Sequence, residues 1–164
     1  MNNKGFTLIE LVVVIVILGI LAVTVAPKYI NLKANAQTST LQGVKASLEG
    51  AAALVYGKSI VKGNHKEAFS LTNTVNIGDD GGLNNDGELL VVYGYPIGIP
   101  DEFKRLVDID NQYEYVPIGT NFTTFAIYFS DNNMPTSTSE DCIVFYIASL
   151  DVGEKPTFQV NDCI

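Results

Sequence analysis

Histidine and cysteine are nearly missing from this 164-residue sequence, which holds one His (His65) and two Cys (Cys142 and Cys163). Two thiols and one distant imidazole do not make the four ligands of a structural zinc site. There is also no nucleophile with a nearby base, no phosphate-cradling glycine loop and no metal cluster, so the chain reads as a non-enzyme with no cofactor and no metal. Positive charge is short as well: ten Lys and Arg stand against eighteen Asp and Glu, for a formal net charge of −8. The shortage is uneven. From Lys28 to Lys66 six Lys face one acid, Glu49, giving +5, whereas from Glu67 to Ile164 three basic residues face sixteen acids, giving −13. An acidic half with no RNA- or DNA-binding motif excludes nucleic acid as a partner. The acids serve solubility, or the basic stretch packs against acidic lobes, its own or a neighbour's.

The longest run without charge is the most informative stretch. Phe6 to Ala26, FTLIELVVVIVILGILAVTVA, contains no Lys, Arg, Asn, Gln or Pro, and its one ionisable side chain is Glu10. As a helix it would be about 31 Å long, close to the thickness of a bilayer's hydrocarbon core. Its fifteen Phe, Leu, Ile and Val residues each contribute roughly −0.3 to −0.6 kcal/mol at mid-bilayer, which outweighs one acid at about +3. The β-branched run Val12 to Ile17 would make a poor helix in water, but lipid offers no partner for free backbone groups and so enforces one. A cleaved secretory signal has a shorter core, about 7–15 residues, and then a small-x-small site. Here Pro27-Lys28-Tyr29 follows instead.

Before the run stands a short polar leader, Met1-Asn2-Asn3-Lys4-Gly5, and then Phe6-Thr7-Leu8-Ile9-Glu10. This junction, with Glu10, the unbroken apolar run and Pro27 in step, resembles the class III signal of type IV pilins and pseudopilins. The resemblance implies that a prepilin peptidase cuts after Gly5 and methylates the new amine of Phe6, while the apolar segment is retained. It also implies an assembly role for Glu10: residues four apart share a helix face, and a neighbouring subunit's Phe6 amine would relieve the burial of its carboxylate. The resulting division is a leader at 1–5, a transmembrane and filament-core helix at 6–26, an amphipathic helix at 27–62 and a globular head at 63–164. Lys4 before the span against Lys28 and Lys33 after it slightly favours a cytoplasmic head, and the cysteines point the other way. Two cysteines in a small exported domain usually form a disulfide, though two free thiols would satisfy the count equally. The resemblance implies a C-terminal disulfide loop between Cys142 and Cys163 and a head outside the cytoplasm.

Past the run, Ile30, Ala34, Leu41, Val44, Leu48, Ala51 and Val55 form an apolar helical face. Pro27 is expected to interrupt or kink the helix, and the resemblance implies local melting between Gly19 and Pro27 in assembled filaments. Gly43, Gly50 and Gly57 recur every seven residues, which implies close approach by a sheet or by another subunit's helix, or a loosely held helix. Gly63 is the expected C-cap after Lys62. Residues 63–88 are loop-rich, and 76–88 hold several carboxylates and amides that do not fit the EF-hand template. A solvated loop with an exposed His65 is the plain reading, and an irregular calcium site is the alternative. Leu89–Tyr95, Phe122–Ser130, Cys142–Leu150 and Thr157–Val160 read as strands, and Asp101–Asp108 as a short helical turn. Asn121-Phe122-Thr123 matches a glycosylation sequon, and Thr136–Ser139 is a polar turn or an O-glycan carrier. The fold class is α+β, a long helix packed on a small antiparallel sheet.

Lys45-Ala46-Ser47-Leu48-Glu49-Gly50-Ala51, Val55-Tyr56-Gly57-Lys58 and Val92-Tyr93-Gly94-Tyr95-Pro96, with the late cysteine pair, narrow the resemblance to mannose-sensitive haemagglutinin pilins. That implies the major subunit of an adhesive type IV pilus, serving surface attachment and biofilm initiation. The alternative is a pseudopilin of a type II secretion system. The partners implied are identical subunits, the prepilin peptidase, the pilus assembly machinery and the bacterial inner membrane before assembly, with surface glycans a further candidate. The chain would rest in that membrane as a precursor and end in an extracellular filament.

Overall fold

The computed structural model describes residues 6–81 and 87–164, the side chains of residues 30 and 31 excepted. One helix, α1, runs from Leu8 to Lys62 over 55 residues, about 80 Å at 1.5 Å per residue. It begins where Thr7 takes an extended backbone and closes a capping box with Glu10. It ends at Gly63, whose φ of 85° only glycine adopts easily and whose N–H caps the carbonyls of Ser59 and Ile60. Between them the helix passes Gly19 and Pro27 in one piece. The interruption expected at Pro27 does not occur: losing one N–H and crowding one turn costs about 3 kcal/mol, and ordered turns on both sides hold the helix across it.

The C-terminal half of α1 buries Leu41, Val44, Leu48, Ala52, Val55 and Ser59. The steps of three and four follow one stripe, which selects Ala52 over the expected Ala51. The expected Ile30 side chain lies outside the described residues. Packed on this stripe is a four-stranded antiparallel sheet in which each strand pairs with the next: β4 (Tyr113–Pro117), β5 (Thr124–Phe129), β6 (Ile143–Ile147) and β7 (Thr157–Asn161). Alternation along the strands sends Phe125, Ile127, Val144 and Tyr146 toward α1. Ala126, Tyr128, Ile143 and Phe145 form a second cluster on the opposite face. The short helix α2 (Pro100–Leu106) adds Phe103 to the main core. The Phe103 ring lies 4.7 Å from that of Phe125 and 4.6 Å from that of Tyr146.

Three features depart from the sequence expectations. Leu89–Tyr95 is a hairpin rather than one strand: β2 (Glu88–Val92) turns at Tyr93-Gly94 into β3 (Tyr95–Pro96). Tyr93 and Gly94 both sit at positive φ, 49° and 86°, as a two-residue hairpin turn requires. A Cβ at Gly94 would come within 3.0 Å of the Tyr56 ring and the His65 Cβ, so the turn is pressed against α1. Secondly, the loop-rich stretch contains β1 (Thr74–Asn76), which pairs with β2, so β1–β2–β3 form a sheet separate from the larger one. Thirdly, β4 lies where no strand was expected. His65 is half-buried, edge-on to Tyr56 at 6.3 Å, rather than exposed.

Candidate functional site

The residues singled out by sequence fall in three places along the molecule. The first is the free N-terminal half of α1. From Phe6 to Val25 every large apolar side chain is exposed, from 42% at Val12 to 81% at Phe6. Among the described residues nothing covers this stretch. Burying one such side chain stabilises by about 1.5–3 kcal/mol. Fifteen of them total tens of kcal/mol, more than the net stability of about 5–15 kcal/mol of a whole domain. The segment is therefore built to be covered by lipid or by protein.

Glu10 sits in the first turn of this segment. Its Oε2 accepts from the Thr7 N–H at 2.8 Å and from the Thr7 hydroxyl at 2.6 Å, while Thr7 Oγ1 accepts the Glu10 N–H at 3.3 Å. Phe6 lies one residue before the N-cap, so helical four-residue spacing does not relate it to Glu10 within the chain. Glu10 is engaged with Thr7 instead, a partner that the S/T-x-x-E spacing discloses. Gly5, the expected cleavage position, lies outside the described residues, as do residues 1–4.

The second place is the outward face of α1. At Gly43, Gly50 and Gly57 an added Cβ would meet nothing within 4 Å, so neither described sheet approaches them. Beside Gly57, the exposed side chains of Leu54 and Val61 line a groove of about 570 Å³ that extends to Val75. The basic half of the helix partly serves its own head: Lys62 pairs with Glu88 at 3.3 Å and Lys58 donates to the Asn76 carbonyl. Lys45 pairs along the helix with Glu49.

The third place is the head's tie to α1. Cys142 and Cys163 form the disulfide, and the Cys163 N–H donates to Thr38 Oγ1 on α1 at 2.9 Å. Toward the other end, Arg105 of α2 clamps Asp79 to the start of β2, with two bonds to Asp79, at 2.8 and 2.6 Å, and one to the Glu88 carbonyl. The guanidinium holds the Asp79 carboxyl below its ordinary value. Glu102, 8% exposed, is pushed up by burial despite accepting from the Leu90 N–H and from Arg105. The two acids on one arginine are thus driven in opposite directions. Residues 82–86 of the proposed calcium loop lie outside the described residues, and among the described residues no group of three or more His, Cys, Asp or Glu is placed to hold a metal. In the 136–139 turn, Thr136 gives its N–H and hydroxyl to Glu140. Neither Thr38 nor the Arg105 clamp was anticipated, because each bridges distant parts of the chain.

Residues 1–26 match the family model described as the prokaryotic N-terminal methylation motif. A type IV narrow pilus major component of Thermus thermophilus is 41% identical over 54 residues, 33% of this chain and 47% of that protein. A type IV major alpha-pilin of Moraxella bovis is 43% identical over 78 residues, covering 44% and 49% respectively. A fimbrial protein of Pseudomonas aeruginosa is 43% identical over 61 residues, covering 36% and 40%. The chain thus spans less than half the length of each of these relatives. No solved structure matches it.

Proposed function

We propose that this chain is the major structural subunit of an adhesive type IV pilus, a filament-forming protein and not an enzyme. One observation carries the reading: the stretch matched by the methylation motif, residues 1–26, holds a helical segment too apolar for water and left uncovered by the described residues. Residues 1–5 are the leader, removed after Gly5, and Phe6 carries the methylated amine. Residues 6–26 hold the precursor in the inner membrane and then bury themselves against identical helices in the filament. Residues 27–62 and 63–164 form the outer layer, which meets surfaces in attachment and biofilm initiation as the mannose-sensitive haemagglutinin pilins do. In assembly, Glu10 exchanges its bonds to Thr7 for the amine of a neighbouring Phe6, and the helix loosens between Gly19 and Pro27.

Mass spectrometry of the mature N-terminus is the first test, and a methylated Phe6 is the expected result. Electron microscopy of shed material should then show long, abundant fibres made of this chain. Absence of fibres together with a secretion defect in a deletion strain would overturn the reading. Loss of attachment in a strain that still makes fibres from a head-altered chain would assign adhesion to this subunit.

A further inference from the structure

We propose that the cleft where the disulfide loop meets α1 binds the zwitterionic headgroup of a phospholipid of the phosphatidylethanolamine class while the chain is in the membrane. The inference rests on Phe6–Ala26 being a membrane span. The cleft, of about 400 Å³, is lined by Tyr29, Lys33, Gln37, Asn132, Asp141 and Ile164. Its height follows from the helix: Tyr29 is three residues beyond Ala26 and Lys33 seven, so they stand about 4.5 and 10 Å above the end of the apolar run. The interfacial layer occupies roughly the first 5–8 Å on each side of the hydrocarbon, and a lysine side chain reaches back into it. Tyr29, 69% exposed, presents an amphipathic ring at the depth where such rings settle.

The charges in the cleft fit a zwitterion. Lys45, Lys58 and Lys62 all have partners within the chain. Among the described residues the side chains of Lys33 and Asp141 have none, although both line this cleft and both are exposed. They do not pair with each other, so a ligand carrying both signs satisfies both: phosphate against Lys33, a primary ammonium against Asp141. A primary ammonium donates hydrogen bonds to a carboxylate, and a quaternary one has no N–H to give. Gln37 and Asn132 add amide donors for phosphate and glycerol oxygens. A purely anionic headgroup would meet Lys33 but be repelled by Asp141.

The test uses the full chain reconstituted in mixed vesicles, released in mild detergent, with the co-purifying lipid counted by native mass spectrometry. Phosphatidylethanolamine should be retained about tenfold over phosphatidylcholine, the ratio that one charge-assisted hydrogen bond supplies. Lys33→Gln and Asp141→Asn should each erase the preference while leaving the urea midpoint of the head unchanged. Equal retention of the two lipids, or a preference that survives both substitutions, overturns the proposal. So does a preference for phosphatidylglycerol that is indifferent to Asp141→Asn, or equal binding of tail-less glycerophosphoethanolamine. Flotation of the vesicles separates the premises: a chain that does not float loses the span and the site together, whereas one that floats without headgroup preference loses only the site.

Discussion

Reducing the Cys142–Cys163 bond should lower the stability of the head by about 3 kcal/mol. The sequence separation is 21, and closing a loop of that size removes about 3 kcal/mol of chain entropy from the unfolded state. At a typical urea dependence of about 2 kcal/mol per M, the midpoint falls by about 1.5 M. The assay is urea unfolding of the full chain in detergent, oxidised and reduced. The sequence has no Trp and eight Tyr, and Tyr146 is fully buried, so near-ultraviolet dichroism of tyrosine reports the core. Thr38→Val supplies the second arm, because it removes the acceptor of the Cys163 N–H and should cost about 0.5–1.5 kcal/mol. If the disulfide acts only on the unfolded chain, the Thr38 effect is the same in both redox states. If reduction frees the C-terminal residues from α1, the Thr38 effect vanishes in the reduced protein. A midpoint that moves by less than about 0.3 M on reduction would refute the loop-entropy account.

Glu10→Val should leave the precursor in the membrane yet abolish filament assembly, read by flotation and electron microscopy, and normal assembly would remove Glu10 from the mechanism. Gly50→Ala should stabilise the isolated subunit by about 1 kcal/mol, since the site is open and alanine is the better helix former; a fall in fibre yield despite that gain would mark the face as an inter-subunit contact. For Glu102, whose folded carboxyl is held above the ordinary 4.5 by burial, the folded state binds the proton more tightly than the unfolded one. Its penalty therefore develops as pH rises through the window just above 4.5 and is absent below it, so Glu102→Gln should flatten that part of the stability curve. Asp79 has the opposite sign: lowered by Arg105 from 3.8, it contributes stability above pH 3.8 that is lost as pH falls through its folded value. Asp79→Asn should speed amide exchange at Gly87, whose N–H donates to the Gly81 carbonyl close to the Asp79–Arg105 pair.

Much of the fold is legible where a local rule suffices. Gly63 ends α1 at the expected residue, β5 and β6 lie inside the apolar runs that mark them, and β7 starts at the expected Thr157 and runs one residue past Val160. The Tyr93-Gly94 turn was hidden because its residues are apolar or aromatic on both sides, so Leu89–Tyr95 reads as continuous. The signal is the single Gly, and its pressing neighbour, Tyr56, is 38 residues away. β4, Tyr113–Pro117, shows weak apolar–polar alternation that β5 completes by pairing. The Asp79–Arg105 clamp spans 26 residues, and no periodicity encodes it. At the N-terminus the motif was plain, but its local consequence was not: Thr7 and Glu10, both within the matched motif, also cap the helix.

The head is joined covalently to the helix at one point, Lys62–Gly63, and returns to it noncovalently at Thr38, about 36 Å lower at 1.5 Å per residue. In the proposed filament, tension carried along the bundled helices would therefore bypass the sheet. A pull applied to the outer surface acts differently. It would load the Thr38 contact first and leave Lys62–Gly63 as the covalent tie. Tensile strength and resistance to surface drag are thus set by separate parts of one chain.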